Sequence, residues 1–315
     1  MIRYIVKRLL LMIPILLGIS LIVLLLIDIT PGDPARLILG TQATQQQVDD
    51  LREEMGLNDP LPVRYVRFVG NALKGDFGKS YTNSRSVWTE MMQRFPYTLL
   101  IAGMSLILSV LIGIPLGVYA ATHQYTWKDN AAIVASLFCV SMPGFWFALI
   151  LVQIFCVKLR WLPPSGIEKW QGWILPTVSL ALGYAAGISR QMRSSLLEVI
   201  RQDYITTARA KGQTEGKVLY RHALKNALIP IIMTVGSIFG MSLGGALIAE
   251  VIFSVPGLGS YTLSGLSNRD YPVIQGSVLF LSALFSIVIL LIDVMFAFID
   301  PRIRSQYVRK KKKVK

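Results

Sequence analysis

The sequence predicts an all-α membrane protein of six transmembrane helices, with one small helical insertion on the extracytoplasmic side between the first two. Three observations lead there. Of 315 residues, 53% are hydrophobic and only 16% charged, more apolar than a soluble domain of that length. Apolar runs long enough to cross a hydrocarbon layer of roughly 30 Å, about 20 helical residues each, occur repeatedly along the chain. Lysine and arginine collect in alternate connecting segments, the pattern that fixes membrane orientation.

The first span is expected near Leu9 to Ile29. Arg3, Lys7 and Arg8 precede it as in a signal peptide, yet its apolar run exceeds the about 7 to 15 residues of a signal core. Asp28-Ile29-Thr30-Pro31-Gly32 also lacks a small-x-small cleavage site, so the span is read as retained. Residues 30–96 form the insertion. After the turn Pro31-Gly32-Asp33-Pro34, a polar helix is expected from Thr44 to Met55, with Val48, Leu51 and Met55 at helical spacing. Leu57-Asn58-Asp59-Pro60 breaks it. A second pattern, Val63, Val66, Phe68, Val69 and Leu73, ends at Gly75-Asp76-Phe77-Gly78. These helices are too polar to span the membrane and too short for an enzyme domain. They are expected to cap the outer mouth, where a delivery protein could land.

Five further spans are expected near Tyr97 to Ala121, Ala131 to Val157, Trp173 to Gln191, Ala227 to Ala249 and Ile274 to Ile299. Pro115 and Pro143-Gly144 are expected to kink theirs. Gly236, Gly240 and Gly244 make a small-residue ridge that lets another helix approach closely. Asp28 and Asp293 lie near span ends, where pairing with cations or head groups is expected rather than proton relay. Cys139 and Cys156 stand seventeen residues apart on one span, about 25 Å along a helix, so they do not pair.

Residues 190–226 carry eight basic and three acidic residues, and 300–315 carry eight and one. Residues 30–96 hold eight of each sign. Both termini and the 190–226 segment are therefore expected on the cytoplasmic side, and six crossings agree with that. The net charge of +14 is mostly retention charge on those segments and calls for no nucleic acid. The tail Arg309-Lys310-Lys311-Lys312-Lys313-Val314-Lys315 reads as a topological anchor that can also meet anionic membrane lipids. The expected segments are 1–29 (cytoplasmic end and first span), 30–96 (insertion), 97–300 (five-helix core, with an arm at 193–226) and 301–315 (basic tail).

The arm holds the most information. Leu197, Ile200, Tyr204 and Ala208 fall on one helical face, and Glu198, Gln202, Asp203, Thr206 and Arg209 on the other. Gly212 and Gly216 permit a sharp turn, and Thr214 is placed to cap a short helix through Val218, Leu219 and Leu224. On residue pattern alone, an ordinary amphipathic loop and a docking arm fit equally. No nucleophile-base constellation, phosphate-binding glycine loop or metal-ligand spacing stands anywhere in the chain, so catalytic and metal residues are expected to be none.

The stretch Asp203-Tyr204-Ile205-Thr206-Thr207-Ala208-Arg209-Ala210-Lys211-Gly212, followed by His222-Ala223-Leu224-Lys225-Asn226-Ala227, resembles the coupling loop of binding-protein-dependent ABC importer permeases. More narrowly, it is similar to their peptide, glutathione and nickel branch. Three further blocks carry the likeness: Pro31-Gly32-Asp33-Pro34-Ala35; Met55-Gly56-Leu57-Asn58-Asp59-Pro60-Leu61 with Gly75-Asp76-Phe77-Gly78-Lys79-Ser80; and Pro256-Gly257-Leu258-Gly259 with Arg269-Asp270-Tyr271-Pro272. The match runs from the amino terminus through Asp300-Pro301-Arg302-Ile303-Arg304. The broader signature has Glu-Ala-Ala where this chain has Thr206-Thr207-Ala208.

The resemblance implies a type I ABC importer permease fold, a paralogous partner permease, two ABC ATPase subunits and an extracytoplasmic solute-binding protein. ATP and magnesium would act on the ATPases, with no cofactor on this chain. Tyr204, Thr206, Thr207, Ala208, Arg209, Ala210, Lys211, Gly212, Glu215, Gly216, His222 and Asn226 would form the ATPase-docking arm. Gly236, Gly240 and Gly244 would pack against the partner permease. The implied cargo is a peptide or glutathione-like solute, with nickel or another metal chelate as the alternative. A channel or carrier working alone is the competing class.

Overall fold

The computed structural model describes residues 2–29, 32–40 and 42–299. The expectations placed on Thr30 and Pro31, on Asp300 to Arg304 and on the basic tail lie outside the described residues. Among the described residues are thirteen α-helices, with one isolated bridge between Lys79 and Ser86. In chain order they are α1 (Ile2–Ile29), α2 (Pro34–Leu39), α3 (Gln45–Glu54), α4 (Leu61–Ala72), α5 (Val87–Thr122), α6 (Trp127–Ser141), α7 (Gly144–Leu151), α8 (Ile174–Ile200), α9 (Asp203–Ala210), α10 (Glu215–Lys217), α11 (Leu224–Ile252), α12 (Leu258–Ser267) and α13 (Tyr271–Ile299).

Among the described residues, five stretches are long and apolar enough to cross a membrane: Ile5–Ile29, Val87–Thr122, Trp170–Ile200, Glu215–Gly244 and Tyr271–Met295. The sixth expected span is a broken one, because Trp127–Ser141 and Gly144–Lys158 meet at an angle of 99°. Pro143 explains the break, since it lacks the N–H that would continue the ladder and pushes Met142 into an extended conformation at ψ 128°. The kink expected there is therefore a full corner, whereas α5 runs unbroken through Pro115. Beyond Leu151 the helix widens to a π-helix over Val152–Lys158. Tyr125 and Trp127 at one end of this pair and Trp161 just past the other are exposed, as aromatic side chains at a membrane–water boundary are.

Packing separates the described chain into two units. One contains residues 99–255 and 287–299. In it α8 packs on α6, α7 and α11. Small residues set the approach of α5 to α8: a Cβ added at Gly113 would lie 2.7 Å from the Ala185 carbonyl, and one at Gly117 2.6 Å from Met192 Cβ. Only glycine admits that proximity. Ala185, Ile188, Ser189, Met192 and Leu196 of α8 are buried as a consequence.

The other unit contains residues 2–98 and 256–286. Asp33 caps α2, accepting from Ala35 N at 3.1 Å, and pairs with Arg52 at 2.9 Å. Thr44 caps α3 in a reciprocal box with Gln47, while Val48 is fully buried. The helix expected from Thr44 is thus present as α3, whereas α2 occupies a stretch that the sequence pattern marks only as a turn. Asp28 meets Arg64 of α4 at 2.6 Å, the cation partner expected of it. The Gly78–Thr82 turn is held by buried Asp270, whose Oδ2 accepts from Ser80 Oγ at 2.5 Å and from Thr82 N and Oγ1 at 3.2 Å. Burial, and then the Asp270 charge, push the Tyr261 hydroxyl up to about 12. Arg94 lies 4.7 Å over the same ring.

Candidate functional site

The arm begins where α8 stops. Arg201 and Gln202 break the helix after Ile200, and α9 restarts at Asp203 with Gln202 extended at ψ 148°. That interruption shifts the helical phase. The continuous face expected through Leu197, Ile200, Tyr204 and Ala208 is therefore not formed: Ile205 and Ala208 are buried, and Tyr204 is exposed. Ile205 and Ala208 join Ile188, Met192 and Leu196 of α8 and Val218, Ala223 and Ala227 in a single apolar cluster. The arm is thus seated on the helices that precede and follow it.

At Gly212 the chain turns in the left-handed region, φ +73°, where a side chain is strained. Lys211 N and Gly212 N close α9 onto the Thr207 and Arg209 carbonyls. Thr214 takes the extended N-cap conformation expected of it, but its side chain makes no capping bond. Val218 N instead bonds its carbonyl at 3.0 Å, and the short α10 passes through a π-helical turn, Val218–Ala223, into α11.

Three side-chain pairs tie the arm together. Arg209 grips Glu215 across the glycine turn, Nε to Oε1 at 2.8 Å and Nη2 to Oε2 at 3.2 Å. His222 Nε2 sits 2.7 Å from Gln213 Oε1, and Asn226 Nδ2 donates to Tyr204 Oη at 2.8 Å. His222 and Asn226 are therefore engaged within the chain. Gln213, the partner of His222, carries no sequence signal beyond its place next to Gly212.

Of the residues singled out for docking, Tyr204, Thr206, Thr207, Arg209, Ala210, Lys211, Gly212, Glu215, Gly216 and Asn226 are exposed, on α9, the glycine turn, α10 and the start of α11. Ala208 is a correction: it is 7% exposed and packs into the apolar cluster, α9 lying on the Val218–Ala223 turn. The glycine ridge divides. A Cβ at Gly236 would come within 2.6 Å of Ile292 Cγ1 of α13, so its partner is in its own chain, whereas Gly244 has open space around it and Gly240 is buried.

Sequence reasoning missed one element that bears on the arm. Asp129 near the start of α6 and Arg193 of α8 form a two-point ion pair, Nε to Oδ1 at 2.6 Å and Nη2 to Oδ2 at 2.7 Å. Tyr125 N adds a third bond to the carboxylate at 3.1 Å. Asp129 is 1% exposed. Ten residues separate Arg193 from Asp203, so this pair fixes the helix from which the arm springs. Among the described residues no group of three or more His, Cys, Asp and Glu side chains gathers to hold a metal.

Comparison with known proteins places this geometry. Residues 113–305 match the family described as binding-protein-dependent transport system inner membrane component, and residues 1–102 match that family's N-terminal region. The glutathione transport system permease protein GsiC of Salmonella paratyphi A (strain ATCC 9150 / SARB42) is 41% identical over 304 residues, covering 96% of this chain and 99% of that protein. Its counterpart in Escherichia coli (strain K12) is 40% identical with the same coverage. Among solved structures, an inward-facing MetNI methionine ABC transporter chain superposes with a TM-score of 0.58 at 18% identity, covering 67% of this chain and 96% of that one. A chain of an amino acid ABC transporter superposes at 0.50 and 16% identity, covering 68% and 94%. The fold is that of the type I ABC importer permeases.

Proposed function

This chain belongs to the binding-protein-dependent transport system inner membrane components, and on that premise we propose that it is the permease of an ATP-driven importer for glutathione or similar short peptides. The name carried by relatives about 40% identical over nearly the full length of both chains supports the solute class. A paralogous permease would complete the pathway. Two ATPases would bind ATP and magnesium, and a solute-binding protein would deliver the cargo from outside.

The observation that carries the reading is the seated arm. The exposed side chains between Thr206 and Gly216 offer a partner a surface, while Ile205, Ala208 and Val218 root it in the helix cluster. A push on the turn is thus passed to α8 and α11 rather than absorbed by loop motion. Both termini and the arm would lie in the cytoplasm, as the lysine and arginine distribution favours. Closure of the ATPases on ATP would draw paired arms together and switch the cavity from inward to outward access, with hydrolysis resetting it.

The test is ATP hydrolysis by the reconstituted complex as its binding protein is loaded in turn with glutathione, a dipeptide, an oligopeptide and a nickel chelate. Stimulation by glutathione or a short peptide is the expected result. Stimulation by the chelate alone would move the cargo to metals, and solute movement without any ATPase would overturn the importer reading.

A further inference from the structure

Helix α4 leaves an apolar line with nothing over it. Val63, Val66, Gly70 and Leu73 follow at spacings of three, four and three residues, and all are exposed, Val66 by 71% and Leu73 by 84%. A Cβ at Gly70 would meet nothing within 4 Å. The face turned inward carries Arg64, Tyr65, Phe68 and Val69, each half-buried, and α4 packs on α1.

Two of those side chains fix where along α1 the helix lies. Arg64 pairs with Asp28, one residue from the end of α1 at Ile29. Tyr65 Oη donates to the Leu17 carbonyl at 2.8 Å and lies 3.2 Å from Ser20 Oγ. Leu17 is twelve residues before Ile29, about 18 Å along the helix axis. Around that crossing, Leu21, Ile22, Leu25 and Leu26 of α1 are themselves exposed, a surface for hydrocarbon to cover.

The charges on α4 fit the same place. Arg64 is neutralised by Asp28, and Arg67 pairs with Asp59 at 2.5 Å. Arg67, Asn71 and Lys74 form a polar line beside the apolar one. One face on a membrane span, one apolar flank and one polar flank, with Arg64 and Arg67 both paired, is the profile of a helix lying at a membrane surface.

We infer that α4 lies in the membrane interface, with Val63, Val66, Gly70 and Leu73 against the acyl chains of the leaflet around the Ile29 end of α1. The insertion is then a lipid-seated collar about α1, not a wholly aqueous cap. The inference needs α1 to span the membrane and is independent of which solute is carried.

Single cysteines at Val66 and Asn71, in full-length chain carrying Cys139→Ala and Cys156→Ala, test it in the assembled complex in nanodiscs of phosphatidylethanolamine and phosphatidylglycerol. The expected result has two parts. An impermeant maleimide labels V66C about tenfold more slowly than N71C, the factor for withdrawing a side chain of valine size from water. A bimane probe at position 66 is also quenched when the acyl chains are brominated. Equal labelling of the two positions would overturn the inference in favour of water. Slow labelling without bromine quenching would overturn it in favour of cover by a neighbouring protein chain.

Discussion

Removing Arg193 should harm this protein more than removing Asp129, and removing both should harm it no more than removing Arg193 alone. The two bonds between them, at 2.6 and 2.7 Å, bring the charge centres within about 4 Å, an attraction of about 4 kcal/mol at an effective dielectric of about 20. Arg193→Met strands a carboxylate that is 1% exposed, and an uncompensated buried charge of this kind costs about 3–5 kcal/mol. Asp129→Ala leaves a guanidinium whose side chain is 23% exposed and can turn to water, a loss of about 1–3 kcal/mol. The double variant has no charge left to strand. A coupling energy of about 2 kcal/mol follows, within the range found for residues in direct contact. Reversible unfolding in mixed micelles titrated with sodium dodecyl sulfate, followed by tryptophan fluorescence, measures all four proteins. If the loss in the double variant equals the sum of the single losses to within about 0.5 kcal/mol, the two side chains are independent and the reasoning fails.

Other expectations follow from the same geometry. Gly117→Ala, which would set a Cβ 2.6 Å from Met192 Cβ, should cost about 1–3 kcal/mol in the same titration. Gly103→Ala in the same helix, with nothing within 4 Å, should be neutral or gain up to about 1 kcal/mol. Ile205→Ala removes a fully buried root of the arm, a loss of about 2–5 kcal/mol that should appear as faster hydrogen exchange across 203–217 with the spans still protected. Gly212→Glu places a bulky charge where φ is +73° and the turn is exposed. It should abolish ATP-driven uptake while leaving the chain inserted, and unchanged uptake would remove the docking role from this turn.

Much of this architecture is legible along the chain because its signals are local. Hydropathy marks the spans, Val48, Leu51 and Met55 at helical spacing mark α3, and Gly75 and Gly212 mark stops that need positive φ. Pro143 announces an interruption, but the 99° corner depends on how α7 packs against α8, which no local pattern encodes. The inward face of the arm departs from the sequence pattern for a related reason: a two-residue break at Arg201-Gln202 resets a period of 3.6 and moves burial from Tyr204 to Ile205. Three glycines repeat at the Gly236 ridge and so stand out in the sequence, yet the close approach of α5 to α8 is made at Gly113 and Gly117, a single pair that passes for ordinary helix composition. Asp129 and Arg193 stand 64 residues apart and meet only in the fold.

If the arm docks as proposed, the pairs Arg209–Glu215, Gln213–His222 and Tyr204–Asn226 would bear on assembly as well as on force. A loop that ordered itself only upon meeting a motor subunit would surrender conformational freedom at that moment, about 1–2 kcal/mol for each backbone residue fixed. Here that ordering is complete before any encounter. Under the proposed docking role, recognition would then resemble two finished solids meeting, with no backbone-ordering cost on this side of the contact. Related motors could be exchanged on one such pore without refolding it.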